Sequence, residues 1–301
     1  MKRFFDKLQY YIALIFSYPV GYLSSKMRVT LGKFIGRIFM LLFPFRVSIA
    51  KKNLMKAFSS EDKNRINSIA KKSFENLGIT LIEILAMKHL PKNKIKSMLN
   101  LENPDLCKDF LSMGKGMILL GAHFGNWEIG ALSTALQLNT NYLIIVEHQA
   151  NDFVNAEMNK IRTRFGNRIV SRYEAAREIV KTLQRSEVLA LIADQSASKK
   201  NDVYVDFFGR PAATFDSPAV LALKFDIPLV FGVTVRQPDS TYHLKFIEIK
   251  HDDLKNDKEG ILELTQRHVK VLEDEIRKHP GHWSWMHRRW KHTPPPGIYN
   301  G

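Results

Sequence analysis

The chain divides by its hydrophobic pattern into an apolar amino-terminal stretch and a longer part in which apolar runs alternate with amphipathic ones. Residues Leu8 to Ser25 (LQYYIALIFSYPVGYLSS) carry no charge, with Lys2, Arg3 and Lys7 before them and Lys26 and Arg28 after. These 18 residues stand at the lower limit for spanning a bilayer, which takes about 20. Pro19 and Gly21 work against a straight helix, while Tyr10, Tyr11, Tyr18 and Tyr22 suit the headgroup level. The order basic, apolar, small also fits a cleavable leader, but the sequence continues in the same style. Leu31, Phe34, Ile38, Leu41 and Phe45 recur at steps of three and four, with Lys33 and Arg37 together on another face. That is a basic amphipathic helix, lying either in a membrane interface or on the protein's own core with a solvated basic face.

From residue 58 onward the pattern is globular. Residues 61–88 are helical in spacing, with Ser60 as an N-cap. After Pro91 and Pro104, strands are expected at Gly116–Leu120, Tyr142–Val146, Ile169–Ser171, Val188–Ala193, Leu229–Val235 and His243–Ile249. Helices are expected at Asn126–Leu138, near Val154–Phe165, at Glu174–Gln184, from Asp216-Ser217-Pro218 to Lys224, and at Glu259–Lys278. Alternating strands and helices predict an α/β fold, a mostly parallel central sheet flanked by helices. The expected division is an N-terminal helical membrane-attachment segment over 1–50 and one α/β domain over 51–301. Sites in such sheets lie beyond the carboxyl ends of the strands. This points to loops 121–126 and 194–216 and to the turn after Val146.

Charge sharpens the picture. The formal net charge is +15, and residues 1–56 hold eleven Lys or Arg against the single acid Asp6. Such a surface attracts polyanions, either nucleic acid or an anionic membrane. The apolar segment beside it favours the membrane. Arg288, Arg289, Lys291 and His292 with Trp283, Trp285 and Trp290 read as a second basic, aromatic patch. Cys107 is the only cysteine, so an intrachain disulfide and a thiolate metal cluster are both excluded.

The chemistry concentrates in Gly121-Ala-His-Phe-Gly-Asn-Trp-Glu128. His123 is placed at a strand's carboxyl end and Glu128 in the first turn of the following helix. A carboxylate on one ring nitrogen fixes the tautomer, leaving the other nitrogen to take a proton from an alcohol. No serine or cysteine nucleophile is required when the substrate hydroxyl itself attacks, and the helix N-terminus supplies amide donors for an oxyanion. On its own, the spacing also fits a structural histidine. Asp194, at another strand's carboxyl end, is placed for a polar role in the site. His148 and Asp194 do not make metal-ligand spacing with it, and no metal or cofactor is expected.

The His-x4-Glu pattern resembles the first motif of the glycerolipid and lysophospholipid acyltransferases. More specifically, the chain resembles the lauroyl/myristoyl acyltransferase family of lipid A biosynthesis. Lys52-Asn-Leu-Met-Lys-Ala-Phe58, Arg162-Thr-Arg-Phe-Gly166, Ala193-Asp-Gln195, Phe207-Phe-Gly-Arg-Pro-Ala-Ala-Thr214 and Trp285-Met-His-Arg-Arg-Trp290 match in order, so the likeness runs over about residues 10 to 292. It implies His123 as base and Glu128 as its orienting partner. Arg162 or Arg164 would hold anionic or carbonyl oxygens, and Arg210 a phosphate of donor or acceptor. It also implies acyl carrier protein as donor, a lipid A precursor as glycolipid acceptor, no nucleic acid partner, and the cytoplasmic face of the inner membrane. The rival readings are a related acyltransferase using acyl-CoA or another glycolipid, and a non-catalytic basic protein binding membrane or nucleic acid. The loop Ser196–Val203 (SASKKNDV) matches no particular acceptor.

Overall fold

The computed structural model describes residues 2–197, 202–292 and 294. Residues 198–201, the middle half of the Ser196–Val203 loop, therefore lie outside the described residues. Helices α1 (Lys2–Tyr22), α2 (Ser25–Leu42), α3 (Pro44–Ala57) and α4 (Lys63–Met87) open the chain. Next come α5 (Lys92–Ser97), β1 (Leu99–Leu101) and α6 (Pro104–Ser112). The alternating part is β2 (Met117–Gly121), α7 (Trp127–Gln137), β3 (Tyr142–Val146), α8 (Asp152–Thr163), β4 (Arg168–Ser171), α9 (Ala175–Gln184) and β5 (Val188–Ile192). Strands β6 (Asp202–Asp206) and β7 (Pro211–Phe215) precede α10 (Ser217–Phe225) and β8 (Leu229–Gly232). Then follow β9 (Val235–Arg236), β10 (Tyr242–Leu244), β11 (Phe246–Glu248) and α11 (Lys258–Lys278).

The fold is mixed α/β, built on a six-stranded sheet in the order β11-β8-β2-β5-β3-β4. Its strands pair in parallel from β8 to β4, and β11 joins β8 antiparallel at the edge. Alternate residues of a strand face opposite sides. Ile118 and Leu120 accordingly enter one apolar cluster with Leu189, Phe231 and the inner face of α11, while Met117 and Leu119 enter another with Val188, Val230 and α7.

Several expected boundaries move, each for a local reason. Asp62 rather than Ser60 caps α4, accepting from the Arg65 amide at 2.7 Å. The run Leu229–Val235 breaks at Val233-Thr234, because Thr234 turns aside to bind the loop after β2. The run His243–Ile249 breaks at Lys245, its first half pairing with β1 and β9 and its second with β8. The loop expected over 194–216 contains a β-hairpin of β6 and β7.

Helix α1 runs through Pro19 to Tyr22, and no helix among the described residues is long and apolar enough to cross a membrane. Helix α2 docks on α4 by an unexpected face. Gly32 and Gly36 meet Gly78 and Ile79 so closely that a Cβ on Gly36 would stand 2.3 Å from the Phe74 carbonyl oxygen. Such contact admits no side chain. The apolar positions Phe34 and Leu41 consequently point outward, 59% and 81% exposed, and Phe45, past the break at Phe43 and on α3, is 55% exposed.

Candidate active site

Strand β2 delivers residues 122–126 to the carboxyl edge of the sheet, and an unusually complete set of backbone ties holds them there. Gly125 has φ +58°, and a Cβ on it would lie 1.8 Å from the Thr234 carbonyl oxygen, so glycine alone fits. Its carbonyl accepts from Asn76 Nδ2 at 3.1 Å and Thr80 Oγ1 at 2.8 Å, both on α4. Its amide donates to the His282 carbonyl at 3.0 Å, and the Ser284 amide donates to the His123 carbonyl at 3.0 Å. The segment 282–284 therefore lies along this loop like an added strand, with a bridge between Phe124 and Trp283. Asn126 caps α7 by accepting from the Ile129 amide, and its Nδ2 donates to buried Glu83 at 2.8 Å.

His123 meets a carboxylate, but not the expected one. Its Nδ1 lies 2.7 Å from Oδ1 of Asp194, two residues beyond β5, and its own amide donates to Oδ2 at 2.9 Å. Trp283 Nε1 donates to the same Oδ2 at 2.8 Å. Asp194 is buried, and burial disfavours its charge; the His123 and Trp283 contacts outweigh that and hold it below the usual carboxylate value. An ionised carboxylate only accepts, so the proton of the neutral imidazole sits on Nδ1 and the lone pair on Nε2. That nitrogen has no hydrogen-bond partner among the described residues, and the side chain is 28% exposed. Burial presses the imidazolium down, yet Asp194 and then Glu128 overcome it and Arg162 opposes them, leaving His123 above the ordinary histidine value.

Glu128 does not hold the histidine ring. Its two oxygens are engaged by Arg162 of α8, Oε2 from Nε at 3.0 Å and Oε1 from Nη2 at 2.5 Å. Both side chains are largely buried, and Arg162 Nη1 has no partner among the described residues. Arg164 faces elsewhere. Its Nη1 donates to the carbonyls of Met87 and Leu90 at 2.7 Å each, tying down the end of α4. Arg210, on the exposed turn between β6 and β7, donates from Nε to the Lys56 carbonyl at 3.2 Å and keeps its terminal nitrogens toward solvent.

The carboxy-terminal aromatic segment is not a surface patch. Trp283, Trp285 and Arg289 are 2%, 0% and 1% exposed, leaving Arg288 and Lys291 to the outside. Trp283 was the residue that sequence reasoning misplaced: neighbouring arginines suggested a surface, whereas its indole N–H fixes Asp194. It stands two residues before the Trp285–Trp290 motif, so nothing in the sequence singled it out. No three His, Cys, Asp or Glu side chains among the described residues converge as metal ligands would.

A histidine held by a buried carboxylate at the open edge of an α/β sheet can take a proton from a hydroxyl, as general bases do in many transferases. The model of the bacterial lipid A biosynthesis acyltransferases matches residues 1–292, and the chain belongs to that family. It is an acyltransferase. Among its relatives, the lipid A biosynthesis palmitoleoyltransferase of Escherichia coli strain K12 is 24% identical over 265 residues, spanning 88% of this chain and 85% of that protein. The lauroyltransferase of the same strain is 25% identical over 283 residues, covering 93% and 88%. A lipid A biosynthesis acyltransferase of Haemophilus influenzae is 24% identical over 262 residues, covering 85% and 81%.

Proposed function

We propose that the protein moves a fatty acyl chain from the thioester of acyl carrier protein to a hydroxyl of a lipid A precursor, at the cytoplasmic face of the inner membrane. The observation that carries this reading is the free Nε2 of His123, backed through Nδ1 by ionised Asp194. Nε2 takes the proton of the acceptor hydroxyl as its oxygen attacks the thioester carbonyl, and Asp194 stabilises the imidazolium. The imidazolium then returns the proton to the leaving thiolate. Arg162, clamped by Glu128, keeps Nη1 to meet the developing oxyanion or a phosphate oxygen. Residues 1–50 serve as the attachment segment, resting Phe34, Leu41, Phe43 and Phe45 in the interface with Arg46 at the phosphate level, while Arg210 and Lys56 add a cationic rim. The net charge of +15 also suits an acidic carrier protein.

Replacing His123 by alanine tests the chemistry. Purified variant assayed with acyl carrier protein thioester and lipid A precursor should lose about two to four orders of magnitude in kcat, with its thermal melt unchanged. Retained activity would sink the assignment. Substituting acyl-CoA for the carrier thioester separates the two donors in the same assay.

A further inference from the structure

A cavity of about 10 Å³ adjoins Asp194, and His268 of α11 and Arg289 of the carboxy-terminal segment line it as well. That volume is roughly one water-sized sphere. Two nitrogens of the lining residues, His268 Nε2 and Arg289 Nε, are buried and have no hydrogen-bond partner among the described residues. The rest of the Arg289 fork is committed, Nη1 to the Ala213 carbonyl and Nη2 to Thr214 Oγ1, each at 2.6 Å. Asp194 has accepted three hydrogen bonds, and a carboxylate offers about four acceptor positions. The lining is otherwise mostly apolar, and orphaned buried polar atoms around a water-sized hole are how internal waters are held.

We propose that one buried water bridges Arg289, His268 and Asp194, making Arg289 and His268 positioning residues that act on His123 through Asp194. The water accepts from Arg289 Nε–H and donates to the remaining Asp194 position and to His268 Nε2. Burial keeps His268 neutral, its value brought down to about 3, and lowers Arg289 only to about 10, so the guanidinium stays charged. A cation behind Asp194 offsets part of the carboxylate charge that His123 feels. The other groups acting on the pair are Glu128 and Arg162 in front and His287 from the carboxy-terminal segment. None of them fills the cavity.

The inference rests on His123 acting as base, and its test separates the two. A crystal structure of the full chain, at a resolution that shows ordered water, should place one water within hydrogen-bonding distance of all three groups. An empty or collapsed cavity overturns the bridge whatever the enzyme does. In solution, Arg289→Met should lower kcat by up to about a hundredfold through misplacement of the pair, with KM for both substrates unchanged. It should also move the acid limb of the kcat/KM profile upward by about half a unit or more, because the full Asp194 charge then faces the imidazolium, and Arg289→Lys should restore part of the loss. An unmoved limb with only a lowered melting temperature means that Arg289 merely ties down β7. If His123→Ala is inactive while that limb stays put, the inference fails and the catalytic reading survives; an active His123→Ala fails the reading itself.

Discussion

At the scale of single residues, the site turns on which carboxylate faces His123. Asp194→Asn removes the charge that holds the imidazolium up, so burial wins and the acid limb of kcat/KM shifts to lower pH. Wild type should show that limb above the ordinary histidine value of 6.5. The variant should also lose about two to four orders of magnitude in kcat, since an amide no longer fixes the proton on Nδ1. A pH–rate series on both proteins checks the sign and the size. Glu128→Gln should leave the limb much nearer its wild-type position, because its first task is to hold Arg162. His123 was legible in the sequence from its place after an apolar strand. Its partner was not, because the carboxylate five residues away is near in sequence, while the one that binds the ring is 71 residues away, just past the end of another strand.

At the scale of elements, close backbone contacts do what side chains usually do. Gly36→Ala drives a Cβ toward the Phe74 carbonyl oxygen, and overpacking of this kind costs about 1–3 kcal/mol. The expected result is a lower urea midpoint with an unchanged slope. Helix amphipathicity marked the apolar stripe of α2 but left open whether it faces a membrane or the core, and it missed the docking face. Two glycines carry no hydrophobic signal, and neighbouring Arg28, 1% exposed, reads as a surface cation. The β6–β7 hairpin escaped for a related reason: its Phe-Gly-Arg-Pro turn dominates so short a stretch. The alternating strands and helices of the central sheet were legible because each run is long enough to show its period.

For the whole molecule, the exposed apolar residues gather on α1, α2 and the start of α3, the same region that holds the charge excess. Replacing Leu41, Leu42, Phe43 and Phe45 together by serine should release the protein from sedimented membranes and weaken its binding to anionic vesicles. Wild-type vesicle binding should weaken as salt rises, since phosphate contacts are screened over about 8 Å at physiological ionic strength. Turnover of a water-soluble acceptor analogue should survive the same substitutions. The crossing of α2 over α4 has a further consequence. Gly78 receives α2, and Asn76 and Thr80, on the same stretch of helix, hold the Gly125 carbonyl. On the proposed membrane reading, the part that rests in the lipid and the loop that carries the base are thus bolted to opposite sides of one rigid bar. On that reading the bar would serve as a depth gauge, setting His123 at a constant height above the bilayer, so that hydroxyls would be selected by how far they stand out of the lipid as well as by their chemistry.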